Sequence, residues 1–257
     1  MTLAEILASI EPGPHGWHTQ IPTTWMQGRT SYGGFSSALA HHCARLTVPD
    51  APPLRSAQIA FAGPMAGPVE IRCDLVRRGR NTIFVETRIL CDGGVGFLAT
   101  FIFVNPRKST LDYEGVEVPD FGPPPAESET RSGPPQFFTH NLDYAGKRFA
   151  LRQNTPELID WHRIRERDGL DSMSELLCIG DALPPAAMGL TSENGNISSM
   201  NWQVNLLTTD PQTDNGWWLL SARTHHAHHG ASSQYMTVWN SRMEPVMTGM
   251  QSVALFF

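Results

Sequence analysis

No stretch of the 257 residues stays apolar for the ~18 positions that a membrane-crossing helix requires, so no membrane partner is expected. The first residues, MTLAEILASIEPGPHGW, lack a basic segment followed by a long apolar one, and no signal peptide is expected. Cysteine is scarce. The four present, Cys43, Cys73, Cys91 and Cys178, form no Cys-x-x-Cys pair. Three of them sit in apolar segments, where a thiol behaves as a small hydrophobe. At this length no disulfide is needed for stability, and the reducing cytoplasm is the expected compartment. Charge is sparse at 17%, with a net value of −6, which argues against nucleic acid as a partner; the basic patch Arg77-Arg78-Gly79-Arg80 is local. There is no Gly-x-Ser-x-Gly elbow and no His-Glu-x-x-His pair. The run His225-His226-Ala227-His228-His229 on a strand would send His225 and His229 one way and His226 and His228 the other. At most two imidazoles then converge, so neither a metal nor another cofactor is expected.

What is present is a pattern written twice. Leu54 to Val104 and Ile197 to Phe257 each give an apolar strand, a turn, and three long strand-like runs. Ahead of the first copy, Ala38, Leu39, Ala40, Ala44 and Leu46 predict a helix over 35–46 that Pro49 stops; Gly33 and Gly34 stand at its entrance. A short helix over 3–10 and a strand over 16–21 precede it. Strands are expected at 55–62, 69–77, 82–90 and 96–104. The middle two alternate, which predicts one wet face. The last is almost wholly apolar and reads as covered on both faces. Asp92-Gly93-Gly94 predicts a hairpin turn. Residues 105–136 hold Pro106, Pro119, Pro123, Pro124, Pro125, Pro134 and Pro135 and read as a connector. Beyond it come a strand over 157–165 and a helix opened by a Ser172-x-x-Glu175 capping box. Strands at 197–207, 216–226, 232–240 and 245–256 follow. The expected architecture is α+β: an N-terminal unit 1–105, the Pro-rich connector 106–136, and a C-terminal unit 137–257. Each unit is a helix wrapped by an antiparallel sheet, and together they form a pseudo-dimer. Ligand sites tend to fall where two such units meet.

Several side chains invite a chemical role. Gln251 lies in an apolar strand, and a buried amide must find partners or cost about 1–3 kcal/mol. It either ties strands together or orients a water or a carbonyl. Asp181, in GDALPPA, sits at the negative end of a helix dipole. A hydrogen bond from the Ser198-Ser199 region, an arginine, or a catalytic duty is expected to offset that. Alternation places Ser198, Met200 and Trp202 on one face. With no nucleophile elbow, the serine hydroxyls suit positioning of a water. His226 or His228 facing a cleft would be a competent base near neutrality. Trp202 reads as core or pocket wall. Arg77, Arg78 and Arg80 read as turn charge or as a contact for a phosphorylated carrier.

The segments GRTSYGG with its Ala-rich helix, LRSAQIAFAGPMAGPVEIRCDLVRRGRN, GDALPPA, NGWWLLSARTHHAHHGASSQYMTVWN and MQSVALFF together resemble the TesB-like acyl-CoA thioesterases, of the broad thioesterase-like superfamily. The resemblance runs over nearly the whole chain. It implies a double hotdog fold and hydrolysis of acyl-CoA or of a related acyl-carrier thioester, as in fatty acid metabolism. It further implies a water held by an Asp, a Thr or Ser, and a Gln, with a helix N-terminal amide near the thioester carbonyl. Carried over by position, the Gln is Gln251, the Asp falls on Ser198, the hydroxyl falls near His226, and the polarising amide is that of Gly34, beside Gly33, or equally its pseudo-symmetric mate in the second half. The sequence thus departs from the pattern at the base. Asp181 or a histidine takes that role, or Ser198 and Gln251 hold the water alone, or the chain binds acyl thioesters without turning them over. A hotdog hydratase or dehydratase and an interaction protein are the other readings. Exposed sheet edges make a homodimer an expected arrangement.

Overall fold

A computed structural model describes residues 1–145, 154–193 and 195–257. The chain is a double hotdog of class α+β. Its first half runs α1 (Leu3–Ala8), β1 (Glu11–Gly13), β2 (Gly16–Ile21), the small ribbon β3 (Met26–Gln27) and β4 (Thr30–Ser31), and then α2 (Gly33–Thr47). Four strands follow: β5 (Leu54–Phe61), β6 (Gly67–Arg78), β7 (Thr82–Cys91) and β8 (Gly94–Val104). The second half runs β9 (Leu142–Tyr144), β10 (Glu157–Ile164), α3 (Ser172–Ile179), β11 (Asn196–Leu206), β12 (Trp218–His228), β13 (Ala231–Trp239) and β14 (Pro245–Phe256).

Twelve of these strands make one antiparallel sheet in the order β1-β2-β6-β7-β8-β5-β11-β14-β13-β12-β10-β9. The order is a palindrome about the β5–β11 pair. The repeat legible in four strands per half therefore extends outward to β1–β2 and β9–β10. The seam is built by Trp202 opposite Ile59, Gln203 opposite Gln58 and Val204 opposite Ala57. The Ser56 hydroxyl also donates to the Val204 carbonyl at 2.8 Å.

Helices α2 and α3 lie inside the sheet's curve, against each other. Helix α2 buries Phe35, Ala38, Leu39, Ala40, Cys43 and Ala44; the small residues among them let strands approach on several sides. Phe97, Phe101 and Phe103 of β8 point inward and are fully buried, each worth roughly 1.5–3 kcal/mol of transfer free energy. The β7–β8 turn has Asp92 at φ 50° and Gly93 at φ 79°, the two left-handed residues that a tight hairpin needs.

Three expectations need correction. Strand β8 is not covered on both faces. Its residues alternate between buried and part-exposed, so Leu98 and Ile102 of the outer face are only half covered. Helix α1 ends at Ala8, with Ser9 as its cap. Helix α3 is capped by Asp171, not Ser172: the Asp171 carboxylate accepts from the Ser174 N–H at 2.9 Å.

Glu175 is thereby released for another partner. It is buried and takes two hydrogen bonds from Arg167, each 2.9 Å, and one from the Trp218 indole at 2.9 Å. Removing a partner from a buried ion pair typically costs about 3–5 kcal/mol. The Arg167 side chain is 34% exposed, so Arg167→Ala should lower the unfolding free energy by less than that, about 1–3 kcal/mol, read from urea denaturation, while Glu175→Gln, which keeps an acceptor for Trp218, should cost less still.

Candidate active site

Pairing across the second half sets one row of inward side chains in line. Trp202 of β11 lies opposite Gln251 of β14, Gln251 opposite Gln234 of β13, and Gln234 opposite Thr224 of β12. All four are buried. The end of α3 passes directly over this row. A Cβ placed on Gly180 would come within 3.3 Å of the Trp202 ring and 2.3 Å of the Met247 methyl. The residue after it, Asp181, is held just beyond the helix end.

There the carboxylate meets the other half of the molecule. Its Oδ1 accepts from Gln251 Nε2 at 2.5 Å. The Gly34 backbone N–H, in the first turn of α2, faces the carboxylate and favours its ionised form. No side chain caps α2, so this acid stands where a cap would, at a positive dipole end. That answers the unfavourable dipole of its own helix: the relief comes from α2 and Gln251, not from Ser198, Ser199 or an arginine. Both glycines are required by close approach. A Cβ on Gly33 would lie 2.5 Å from Asp181 Oδ2, and one on Gly34 would lie 2.1 Å from the Cys178 carbonyl oxygen. The Tyr32 hydroxyl donates to that same carbonyl at 2.6 Å, clamping the two helix ends together.

Burial raises the Asp181 carboxyl to about 7, against the smaller opposing effects of the hydrogen bonds from Gln251 and Gly34. Burial, and then the nearby Asp181 carboxylate, push the Tyr32 phenol and the Cys178 thiol well above their ordinary values, so both stay neutral near pH 7. The cluster is one carboxyl titrating near neutrality, one amide donor and an uncapped helix start. That set can hold a water and accept a proton from it.

The other candidate residues fall elsewhere. A bulge between Ser199 and Asn201 of β11 shifts the alternation by one. Ser198 therefore pairs with Ala254 on the outer face and is exposed, while Trp202 faces inward. A second bulge between Thr224 and His226 of β12 does the same. His226 pairs with Ser233 and is exposed, and His225 stacks on exposed Tyr235 with ring centroids 4.4 Å apart. Ser198 and His226 thus take no part in the Asp181 cluster. Trp202 is completely buried beside Gln251; it is a wall under α3 with no surface left for a ligand. Arg78 pairs with Asp50 at 2.8 and 3.0 Å, and Arg80 is exposed at the β6–β7 turn. Strand β6 is five places from β14 in the sheet, so neither arginine is brought to the carboxylate. A cavity of about 410 Å³ also lies away from it, lined by His41, His42, Arg45, Asp171, Met173 and Ser174 among others.

Two residues of the row were missed. Gln234 accepts from the Ala186 N–H at 2.9 Å and donates to Gln251 Oε1 at 2.9 Å. Thr224 supplies the buried hydroxyl, two residues before His226. The signal for Gln234 was in the strand ASSQYMTVW, where an amide shares the inward parity of Met236 and Val238.

Two family models match the chain in succession: the acyl-CoA thioesterase N-terminal domain over residues 21–104 and the acyl-CoA thioesterase C-terminal domain over residues 116–255. Comparison with curated proteins gives no significant match. Among solved structures, a conserved protein of unknown function with a hot dog fold from Alicyclobacillus acidocaldarius is similar with a TM-score of 0.85 at 20% identity, over 100% of this chain and 99% of that one. A putative thioesterase II from Thermobifida fusca gives 0.83 at 18% identity, over 100% and 98%. A tesB protein from Mycobacterium avium subs paratuberculosis gives 0.78 at 17% identity, over 100% of both chains. At these identities the structural likenesses establish the fold. Among the described residues no helix is long and apolar enough to cross a membrane, and no group of three or more His, Cys, Asp or Glu is placed to hold a metal ion.

The raised Asp181 value has a consequence for stability. Between an ordinary carboxyl value and about 7, the folded state binds a proton that the unfolded state has lost. Its contribution to stability is fully present below the unfolded value and is lost as pH rises through about 7, at about 1.4 kcal/mol per unit of separation. Asp181→Asn abolishes that dependence. The melting temperature of the variant minus that of the wild type should therefore become more positive from pH 5 to pH 8, as measured by scanning calorimetry.

Proposed function

Because the chain belongs to the acyl-CoA thioesterase family and is a thioesterase, we propose that it hydrolyses acyl-CoA, or the same thioester on a carrier protein, with Asp181 as general base and Gln251 as the group that orients the water. One observation carries this reading: a carboxylate from the second half meets an amide on the sheet and the uncapped start of a helix from the first half. Gln251 Nε2 has two hydrogens and spends one on Asp181. The second donates to a water, which in turn donates to Asp181. The water oxygen attacks the thioester carbonyl as its proton passes to the carboxylate. The Gly34 N–H is directed at Asp181, so the developing oxyanion falls to the remaining first-turn N–H groups of α2; one such donor is worth roughly 2.7–4 kcal/mol in related chemistry. Collapse of the tetrahedral species breaks the C–S bond, and the proton on Asp181 goes to the departing thiolate. The products are a carboxylic acid and free thiol.

A carboxyl titrating near 7 suits both halves of this cycle. It is sufficiently ionised to take a proton and acidic enough to return it. No observation favours the hydratase reading, whose histidine would have to face the cleft; the imidazoles of β12 named above lie on the outer face.

Thiol release from a panel of acyl-CoAs is the direct measurement. Wild-type kcat should rise with pH through about 7 and level off. Asp181→Asn should lower kcat by about 10²–10⁴-fold and abolish that rise. Gln251→Ala should lower it less, by about 10–100-fold. Equal rates for wild type and both variants would remove the two residues from the mechanism. Ligand-dependent thermal stabilisation without turnover would assign the chain to acyl-thioester binding instead.

A further inference from the structure

Resting on that reading of Asp181, we infer that Gln234 is a positioning residue, which sets the direction in which the Gln251 carboxamide points and so keeps its N–H, rather than its oxygen, on the base. The argument starts from a group with no choice. A backbone N–H can only donate, and the Ala186 N–H donates to the side chain of Gln234 at 2.9 Å. The atom it meets must be oxygen. The other end of the Gln234 amide is then its NH₂, and this lies 2.9 Å from Gln251. Gln251 must present oxygen there, so its own NH₂ is turned to Asp181 at 2.5 Å. A fixed donor in the backbone is thus transmitted through two amides to the carboxylate. Both amides are buried, 0% exposed for Gln234 and 3% for Gln251. A reversal at either one would set like ends against each other, and the buried Ala186 N–H would lose its acceptor.

The chemical effect is on the base. With N–H toward it, the carboxylate keeps a donor that favours its ionised form; with Oε1 toward it, that donor becomes a repulsion. The titratable groups facing Asp181 are Tyr32 from the α2 cap and Cys178 from α3, both neutral near pH 7. The hydrogen-bonding groups that act on it are Gln251 and Gly34, so the polarity of Gln251 is the adjustable part of this environment.

Two variants separate positioning from packing. Gln234→Met keeps the bulk and removes both hydrogen bonds. Gln234→Glu keeps the acceptor for Ala186 and, only while protonated, a donor for Gln251. For Met we expect a loss of about 10–100-fold in kcat with KM changed by less than about twofold, and a pH midpoint moved upward. For Glu we expect near wild-type turnover at acid pH and a fall as pH rises, opposite to the wild-type profile. The Asp181 carboxyl is followed in parallel by carbon-13 NMR titration, its resonance assigned by its loss in Asp181→Asn. An Asp181 midpoint raised in the Met variant supports the proposal even if no thioester is turned over; in that case it is the hydrolase reading that falls. A folded Met variant and a Glu variant that both keep the wild-type Asp181 midpoint and pH profile would overturn it. The wild type alone supplies a further test, independent of whether the variants fold. The Gln251 side-chain NH₂ resonances, assigned by their loss in Gln251→Ala, should shift with the ionisation of Asp181. Resonances indifferent to that titration would overturn the proposal too.

Discussion

The pairing of β5 with β11 is the constraint on which everything else in this molecule depends. It joins two similar units edge to edge in one continuous sheet and forces their helices to run side by side inside the curve. Because the joined strands are antiparallel, so are the helices. The start of α2 therefore meets the end of α3, where the Tyr32 hydroxyl closes on the Cys178 carbonyl. An acid that ends one helix badly is received at the positive start of another. Neither unit alone would give Asp181 both Gln251 and the Gly34 N–H.

The symmetry of the backbone is not kept by the side chains. The seam exchanges Trp202 with Ala57 as equivalent positions, so the counterparts of Gln251 and Gln234 are Phe101 and Val85, which lie opposite Ala57 and each other. Both are fully buried. The first-half groove is thus packed with hydrocarbon where the second-half groove carries amides. His41 lies over Phe101 and Phe103, with ring centroids 5.8 and 6.1 Å away, and burial lowers it to about 4. It is a neutral core residue at working pH. One groove carries the polar row to which we assign the chemistry, and its twin is filled by apolar side chains.

Much of this was legible from residue order. Period-two alternation located β6 and β7, the repeated pattern located the strands of the second half to within a few positions, and the alanine-rich run located α2. Gln251 was visible because an amide within an apolar strand is costly. Asp181 was visible because its place on its own helix was unfavourable. What relieves it was not visible: Gln251 lies 70 residues further along the chain, and Gly34 belongs to the other half and is brought close only by the seam. The misplacement of Ser198 and His226 has one physical cause: each lies beyond a bulge, and a single extra residue turns every later side chain to the opposite face. Gln234 was passed over because its strand is rich in polar residues, and parity alone distinguished it.

The seam also bears on how the chain is assembled at the ribosome. The bond from Ser56 to Val204 joins residues 148 positions apart in the chain. The first unit can be fully synthesised while its partner edge does not yet exist. Throughout that interval β5 offers an open row of hydrogen-bonding groups to any matching strand, including the β11 of a neighbouring nascent chain. Exchange of halves between two molecules would satisfy the same pairings. Crowded translation, rather than heat, is the circumstance under which this architecture would be most prone to entanglement.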